Sequence, residues 1–257
     1  MSLDSLHFGR PSSMIDGWSF FERGELRSTN DAAAGLPAWS AVRADTQSAG
    51  RGRHDRVWVS DRGGLWLSAV VPVGPPEQGW GALPLAAGLA MCETLAGMGV
   101  GSLRLRWPND VMLGTRKLAG VLIDQFQPGT AVIGLGLNVR NQPGAVVPAL
   151  RGQVACLEEF LSPVPSLGEL ARRILGGVRG VVEVMLENGF AGLVPRVNTW
   201  WQAGMCVDIE TAEGRTEGVF LGVDPTGRLR VGTPAGEVRH LAAHQVIRLR
   251  ELIGDSS

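Results

Sequence analysis

The chain has 257 residues, of which 44% are hydrophobic and 19% charged, with a formal net charge of -1. That length buries a substantial core and suits one large domain with a small one beside it. The near-neutral balance excludes a generally basic nucleic-acid binder, so any anion recognition has to be local.

The first 25 or so residues show no strong pattern and are too few for an independent helix-turn-helix domain. Met1 to His7 lacks the basic start and apolar run of a signal peptide, which points to a cytoplasmic protein. Ser28-Thr29-Asn30-Asp31 before the alanines 32–34 has the spacing of a capping box opening a helix, and a helix N-terminus flanked by hydroxyls also suits a polar ligand. Residues 38–45 read as a strand leading into Thr46 to Trp58, where Arg51, Arg53 and Arg56 fall within six residues beside Gly50 and Gly52. Guanidinium groups bind carboxylates and phosphates through two donors at once, and Trp58 offers a face for stacking. This stretch reads either as a loop closing over an anionic ligand or as a solvated basic loop, and the stretch alone does not separate the two.

Leu65 to Val73 is a short apolar strand, with Leu65, Leu67, Ala69 and Val71 on one face and Trp66, Ser68 and Val70 on the other. From Pro84, apolar residues recur at helical spacing, and Gly88, Glu93 and Gly97 keep the segment from reading as a membrane span. Leu103, Leu105 and Trp107 alternate with Arg104 and Arg106 in a strand that Pro108 stops, which puts Asn109 and Asp110 at a strand end. Val111 to Leu113 and Lys117 to Phe126 form a hairpin around Gly114-Thr115, and 130–139 is a further strand with Gly134 and Gly136 on one face. Glycines there weaken a strand unless something packs against its backbone; a bulge is the alternative. Ser166 and Glu169 open an amphipathic helix through Met185 that has a structural role, and a shorter helical piece covers 190–201. From Ala203 short strands follow one another, near 205–210, 216–223, 227–233, 236–241 and 245–250, in the texture of a small barrel. Cys92, Cys156 and Cys206 are far apart with no metal-ligand spacing, and no metal site is expected.

Taken singly, the polar segments are ordinary: Lys117 reads as a solvated lysine, Asn109-Asp110 as a turn, Asn138 as a strand-end cap. There is no phosphate-binding Gly-x-x-x-x-Gly-Lys-[Ser/Thr] and no dinucleotide Gly-x-Gly-x-x-Gly opening a helix. Together they form an ordered set: Ser28-Thr29-Asn30, Gln47 with Gly50-Arg51-Gly52-Arg53, Arg56-x-Trp58, Arg106-Trp107-Pro108-Asn109-Asp110, Lys117-Leu118-Ala119-Gly120 and Gly134-Leu135-Gly136-Leu137-Asn138. In order and approximate spacing this set resembles the biotin protein ligases over roughly residues 25–140. Arg106 stands where that family often has lysine, and His54 where an arginine can occur.

The resemblance implies an α+β fold: a mixed-sheet catalytic domain of the biotin/lipoate ligase type over residues 1–202 and a small SH3-like β-barrel domain over 203–257. It implies an enzyme, a biotin–[biotin carboxyl-carrier protein] ligase, that joins biotin to ATP as biotinyl-5′-adenylate with release of pyrophosphate. Biotin then passes to one lysine of the carrier domain of a biotin-dependent carboxylase. By family position, Ser28, Thr29, Asn30, Gln47, Arg51, Gly52, Arg53, Lys117, Gly120 and Gly136 are expected to bind biotin. Gly134 joins these glycines in letting the sheet backbone approach the ligand. Arg56, Trp58, Asn109 and Asn138 are expected to bind ATP. Lys117, Arg51, Arg53 and Asp110 form the expected catalytic set; Asp110 either orients substrate or helps the incoming lysine lose its proton. Mg²⁺ is expected with ATP. DNA and membrane binding are not expected, and the short N-terminus argues against a repressor role. A sheet edge could pair two copies into a homodimer or pair with the acceptor. The rival readings are a lipoate–protein ligase and a non-catalytic nucleic-acid-binding protein; the Gly-Arg-Gly-Arg and Trp-Pro-Asn-Asp pair disfavours the first and the net charge the second.

Overall fold

The structure, a computed structural model, describes residues 9–201 and 204–252. The leader reading of residues 1–7 and the expected boundary at 202–203 lie outside the described residues. Strands β1 (Ser13–Ile15), β2 (Trp18–Leu26), β3 (Ser40–Gln47), β4 (Leu65–Pro72), β5 (Leu103–Arg106), β6 (Asp110–Leu113), β7 (Arg116–Gln127) and β8 (Thr130–Leu137) form one sheet in the order β1-β2-β3-β4-β8-β7-β6-β5. β2 and β3 run parallel, and the other neighbours are antiparallel, so the sheet is mixed. Among the described residues the α-helices that accompany it are α1 (Thr29–Ala33), α2 (Leu83–Ala96), α3 (Pro143–Val146), α4 (Leu167–Asn188) and α5 (Val194–Thr199).

Period-two alternation sorts the side chains of the central strands onto two faces. Leu65, Leu67, Ala69 and Val71 of β4 and Ile133, Leu135 and Leu137 of β8 enter the main core, with Leu89, Met91, Leu170 and Val178 of α2 and α4. The opposite face is covered only in part, where Ala32 and Ala33 of α1 meet Phe21, Val42, Val70 and Val132. Ser68, Gly120, Gly134 and Gly136 belong to this second face by strand alternation, and the site is built there.

The N-terminal stretch departs from expectation. Residues 18–26 form a nine-residue strand, paired parallel with β3. Trp18 and Phe20 enter the main core while Phe21 enters the small one, so the strand is buried on both faces where it starts. Burial on both faces erases the alternation by which a strand is recognised. The two expected capping boxes are each half formed. Ser28 Oγ accepts from Asp31 N at 3.5 Å and Ser166 Oγ from Glu169 N at 3.2 Å. The acidic partners turn elsewhere, Asp31 to Arg51 and Glu169 to Arg172 and Arg173.

Strands β9 (Cys206–Thr211), β10 (Gly214–Val223), β11 (Leu229–Gly232), β12 (Val238–Leu241) and β13 (Val246–Leu252) form a second, antiparallel sheet in the order β12-β11-β10-β9-β13, the framework of a small SH3-like unit. Its interior, including Val207, Ile209 and Phe220, is continuous with the main core, and Trp201 stacks on Phe220 with ring centroids 3.8 Å apart. Among the described residues no helix is long and apolar enough to cross a membrane.

Candidate active site

A network of hydrogen bonds at the N-terminus of α1 makes the polar floor of the site. Thr29 donates from N and Oγ1 to Gln47 Oε1, at 2.8 and 3.0 Å, and Gln47 Nε2 donates to Ser60 Oγ at 2.9 Å. Ser68 Oγ lies 2.7 Å from Thr29 Oγ1 and 2.6 Å from Asn30 Oδ1, and Asn30 Nδ2 donates to Asp124 Oδ2 at 2.7 Å. Ser28, Thr29, Asn30 and Ser68 are all buried. Buried polar groups are costly without partners, so these side chains hold one another in fixed orientations. Gly134 makes room for this network and also lines the cavity. A Cβ there would stand 2.4 Å from Asn30 Oδ1.

The arginine loop is folded. Trp58 N donates to Gly50 O at 2.9 Å and Gly52 N to Arg56 O at 2.7 Å, while Arg51 and Val57 form an isolated bridge. His54 takes the turn at a φ of +55°. Arg51 grips Asp31 with two donors, at 2.9 and 2.7 Å, and lies 3.5 Å from Asp124. The bond to Asp31 raises its pKa above the ordinary arginine value. Arg53 donates to Ala243 O at 3.1 Å, and burial lowers its pKa. Arg56 makes no ion pair among the described residues, leaving one cation of the loop uncommitted.

Trp58 lies across the glycines of β7 and β8. A Cβ on Gly136 would stand 2.6 Å from Trp58 Nε1, and one on Gly120 3.1 Å from the ring. Lys117 Nζ sits 5.0 Å from the ring centroid. Buried Trp58 Nε1 has no hydrogen-bond partner among the described residues. Gly120 and Gly136 therefore admit the Trp58 indole against the sheet backbone, and both also line the cavity.

Asp110 begins β6 at the end of the Trp107-Pro108-Asn109 turn. Lys117 Nζ reaches its Oδ1 at 2.5 Å and Arg106 Nη2 its Oδ2 at 2.6 Å. Burial works against charge on Asp110, but the two cations outweigh it and hold the carboxyl below its ordinary value. Asn109 Nδ2 donates to Val121 O at 2.7 Å, and Asn138 Oδ1 accepts from Asn141 Nδ2 at 2.9 Å. Asn109 thus braces strand β7 and Asn138 the loop that follows β8, and both line the cavity.

Every residue expected at the site lines one cavity of about 730 Å³. That is within the range of roughly 300–1,000 Å³ usual for small-molecule sites. The sequence reading missed two parts of its wall, the Pro143–Val154 segment and strand β13 from Val246 to Glu251. Arg248 and Arg250 alternate with Ile247 and Leu249 in the sequence, which marks a strand but not what it faces.

A profile of the biotin/lipoate A/B protein ligase family matches residues 26–138. The biotin–[acetyl-CoA-carboxylase] ligase of Mycobacterium tuberculosis is 33% identical over 216 residues, 77% of this chain and 77% of that protein. The bifunctional ligase/repressor BirA of Escherichia coli is 30% identical over 231 residues, covering 84% of this chain and 70% of that one. The biotin protein ligase of Aquifex aeolicus, solved in complex with biotin and ATP, superposes with a TM-score of 0.78 at 24% identity, over 90% of this chain and 98% of that one. The fold and the site together define a ligase of the biotin/lipoate class. Within that class, the chain belongs to the biotin protein ligases.

Proposed function

We propose that this chain attaches biotin to a protein lysine in two steps within the one cavity. In the first, a biotin carboxylate oxygen attacks the α-phosphorus of ATP, forming biotinyl-5′-adenylate as pyrophosphate leaves. In the second, the amine of a lysine on the carrier domain of a biotin-dependent carboxylase attacks the acyl carbon, forming an amide as AMP leaves. The observation that carries this reading is the junction in the cavity wall. Lys117, Arg106 and Asp110 meet there, in the wall of the same cavity that the residues of the polar floor and the folded arginine loop line.

The first step brings two anions together, and fixed cations at their point of contact lower that barrier. Lys117 meets the carboxylate and the phosphate. Arg56, with no ion pair among the described residues, takes ATP phosphates. Trp58, in the cavity wall, presents its ring to the adenine. Ser28, Thr29, Asn30 and Gln47, already fixed by their own bonds, hold the biotin head group. Arg51, Gly52 and Arg53 form the lid that keeps water from the mixed anhydride. A carboxylate held below its ordinary pKa is a weak base, so Asp110 serves better to orient Lys117 than to deprotonate the acceptor.

Mg²⁺ bound to ATP would supply neutralisation of phosphate charge. Asp110 is committed to two cations and fits poorly as its ligand, which leaves phosphate and water oxygens as the donors. Residues 1–202 form the unit that carries the chemistry and 203–257 the small β unit beside it, in a cytoplasmic protein.

Incubation with ATP, Mg²⁺, biotin and a carrier domain tests the reading. Biotin is expected on one carrier lysine, and ATP–pyrophosphate exchange is expected to require biotin. Exchange supported by lipoate but not by biotin would overturn it.

A further inference from the structure

The second sheet meets the site at a turn that nothing above uses. Residues 224–228 fold around the carboxylate of Asp224, which is only 5% exposed. Oδ1 accepts from Thr226 N at 2.9 Å, Thr226 Oγ1 at 2.8 Å and Arg228 N at 3.0 Å. Oδ2 accepts from Arg228 Nε at 2.8 Å and is paired with His240 Nδ1 at 2.9 Å. The backbone closes the turn, with Gly227 N donating to Asp224 O and Asp224 N to Arg228 O. Five contacts on one carboxylate fix the turn far more tightly than its backbone bonds alone.

What the turn presents is the Gly227 carbonyl, which accepts from Trp107 Nε1 at 3.0 Å. Gly227 has a φ of +79°, and a Cβ there would stand 2.3 Å from Ala82 Cβ, so the turn sits flush on the start of α2. Trp107 is buried, and two residues further on the chain delivers Asn109 and Asp110 to the cavity.

We infer that Asp224 is a positioning residue for adenylate formation: it fixes the Gly227 carbonyl, which anchors the Trp107 indole and so sets where Asp110 meets Lys117 and Arg106. Of this chain of contacts, Trp107, Arg106, Asp110 and Lys117 line the cavity, whereas Asp224 and Gly227 are not among its lining residues. The inference rests on the ligase reading for its kinetic test, and on geometry alone for its spectroscopic one.

The test is a double-mutant cycle in the full chain, scored by biotin-dependent ATP–pyrophosphate exchange. Asp224→Ala is expected to lower kcat about tenfold, the scale of one well-placed hydrogen bond, while KM for ATP moves by less than about threefold. Asp224→Asn keeps an acceptor for Thr226 and the Arg228 amide and is expected to recover kcat to within about twofold of the parent. Trp107→Phe removes the indole donor, and in that background Asp224→Ala is expected to add no further loss, since coupled residues are non-additive. Should Asp224→Ala not fold, Thr226→Ala takes its place, with a smaller loss in the same direction and the same non-additivity. Losses that multiply across the cycle, or parental kcat in Asp224→Ala or in Trp107→Phe, overturn the inference while leaving the ligase reading standing. A parent without biotin-dependent exchange overturns the ligase reading. The inference is then decided by NMR, where the variant at 224 or 226 is expected to shift the Trp107 indole resonance and raise the titration midpoint of Asp110. Unchanged signals overturn it.

Discussion

At Asp110, burial opposes the charge and two cations favour it, and the balance makes a prediction about acid. The carboxyl lies below its ordinary value of 3.8 in the folded chain. A group lowered by folding contributes stability that is fully present above the unfolded value and is lost as pH falls through the folded one. Asp110→Asn should therefore be less stable than the parent at pH 7, on the order of 1–2 kcal/mol because Lys117 and Arg106 both keep contact with solvent. Urea unfolding at pH 7, 5 and 3.5 should show that gap constant between the first two and narrowing at the third; a gap independent of pH would refute the assignment. At neutral pH the same variant should also slow pyrophosphate exchange, by about 10²-fold if Lys117 drifts by an ångström. The residue types of this cluster were legible in the sequence. Their mutual pairing was not, because Arg106, Asp110 and Lys117 come from three strands whose register no spacing declares.

The glycines of β8 show the same limit for a whole element. Alternation in 130–139 put Gly134 and Gly136 on one face and implied that something packs on the backbone there, and something does: Asn30 at one and Trp58 at the other. The sequence could not say that the occupants are the protein's own side chains. Gly134→Ala should push Asn30 off Asp124 and Ser68 and weaken biotin binding more than tenfold, the consequence of unpairing buried polar groups. Calorimetric titration with biotin measures this, with Gly101→Ala as control, since a Cβ at Gly101 meets nothing within 4 Å. Equal affinity in the two variants would mean that the Asn30 network does not hold biotin. Elements with one solvated face, such as α4, were legible for the same reason that β2 was not. Periodicity records a difference between two faces, and Trp18 to Phe21 has none to record.

For the molecule as a whole, the sequence separates two textures, a mixed α and β part and a run of short strands, and the structure joins them. Arg104 of β5 donates to Glu251 of β13 at 2.5 and 2.7 Å, Arg53 to Ala243 and Trp107 to Gly227, each tying a site segment to the second sheet. With the core continuous through Trp201 and Phe220, the two sheets should unfold together. Tryptophan fluorescence and far-ultraviolet dichroism should then trace coincident urea transitions. The Arg104–Glu251 pair is the sharpest place to ask what the contact contributes, because Glu251 is 6% exposed and Arg104 18%. Removing one partner strands the other charge, so Glu251→Gln should destabilise by about 3 kcal/mol. Replacing both, as Arg104→Met with Glu251→Met, should recover most of that loss, since apolar packing substitutes well for a buried pair. If instead the double variant is as unstable as the single, the pair holds the sheets together by its charge. If Glu251→Gln splits the two transitions apart, the second sheet is a separable unit that this one contact keeps in register with the cavity.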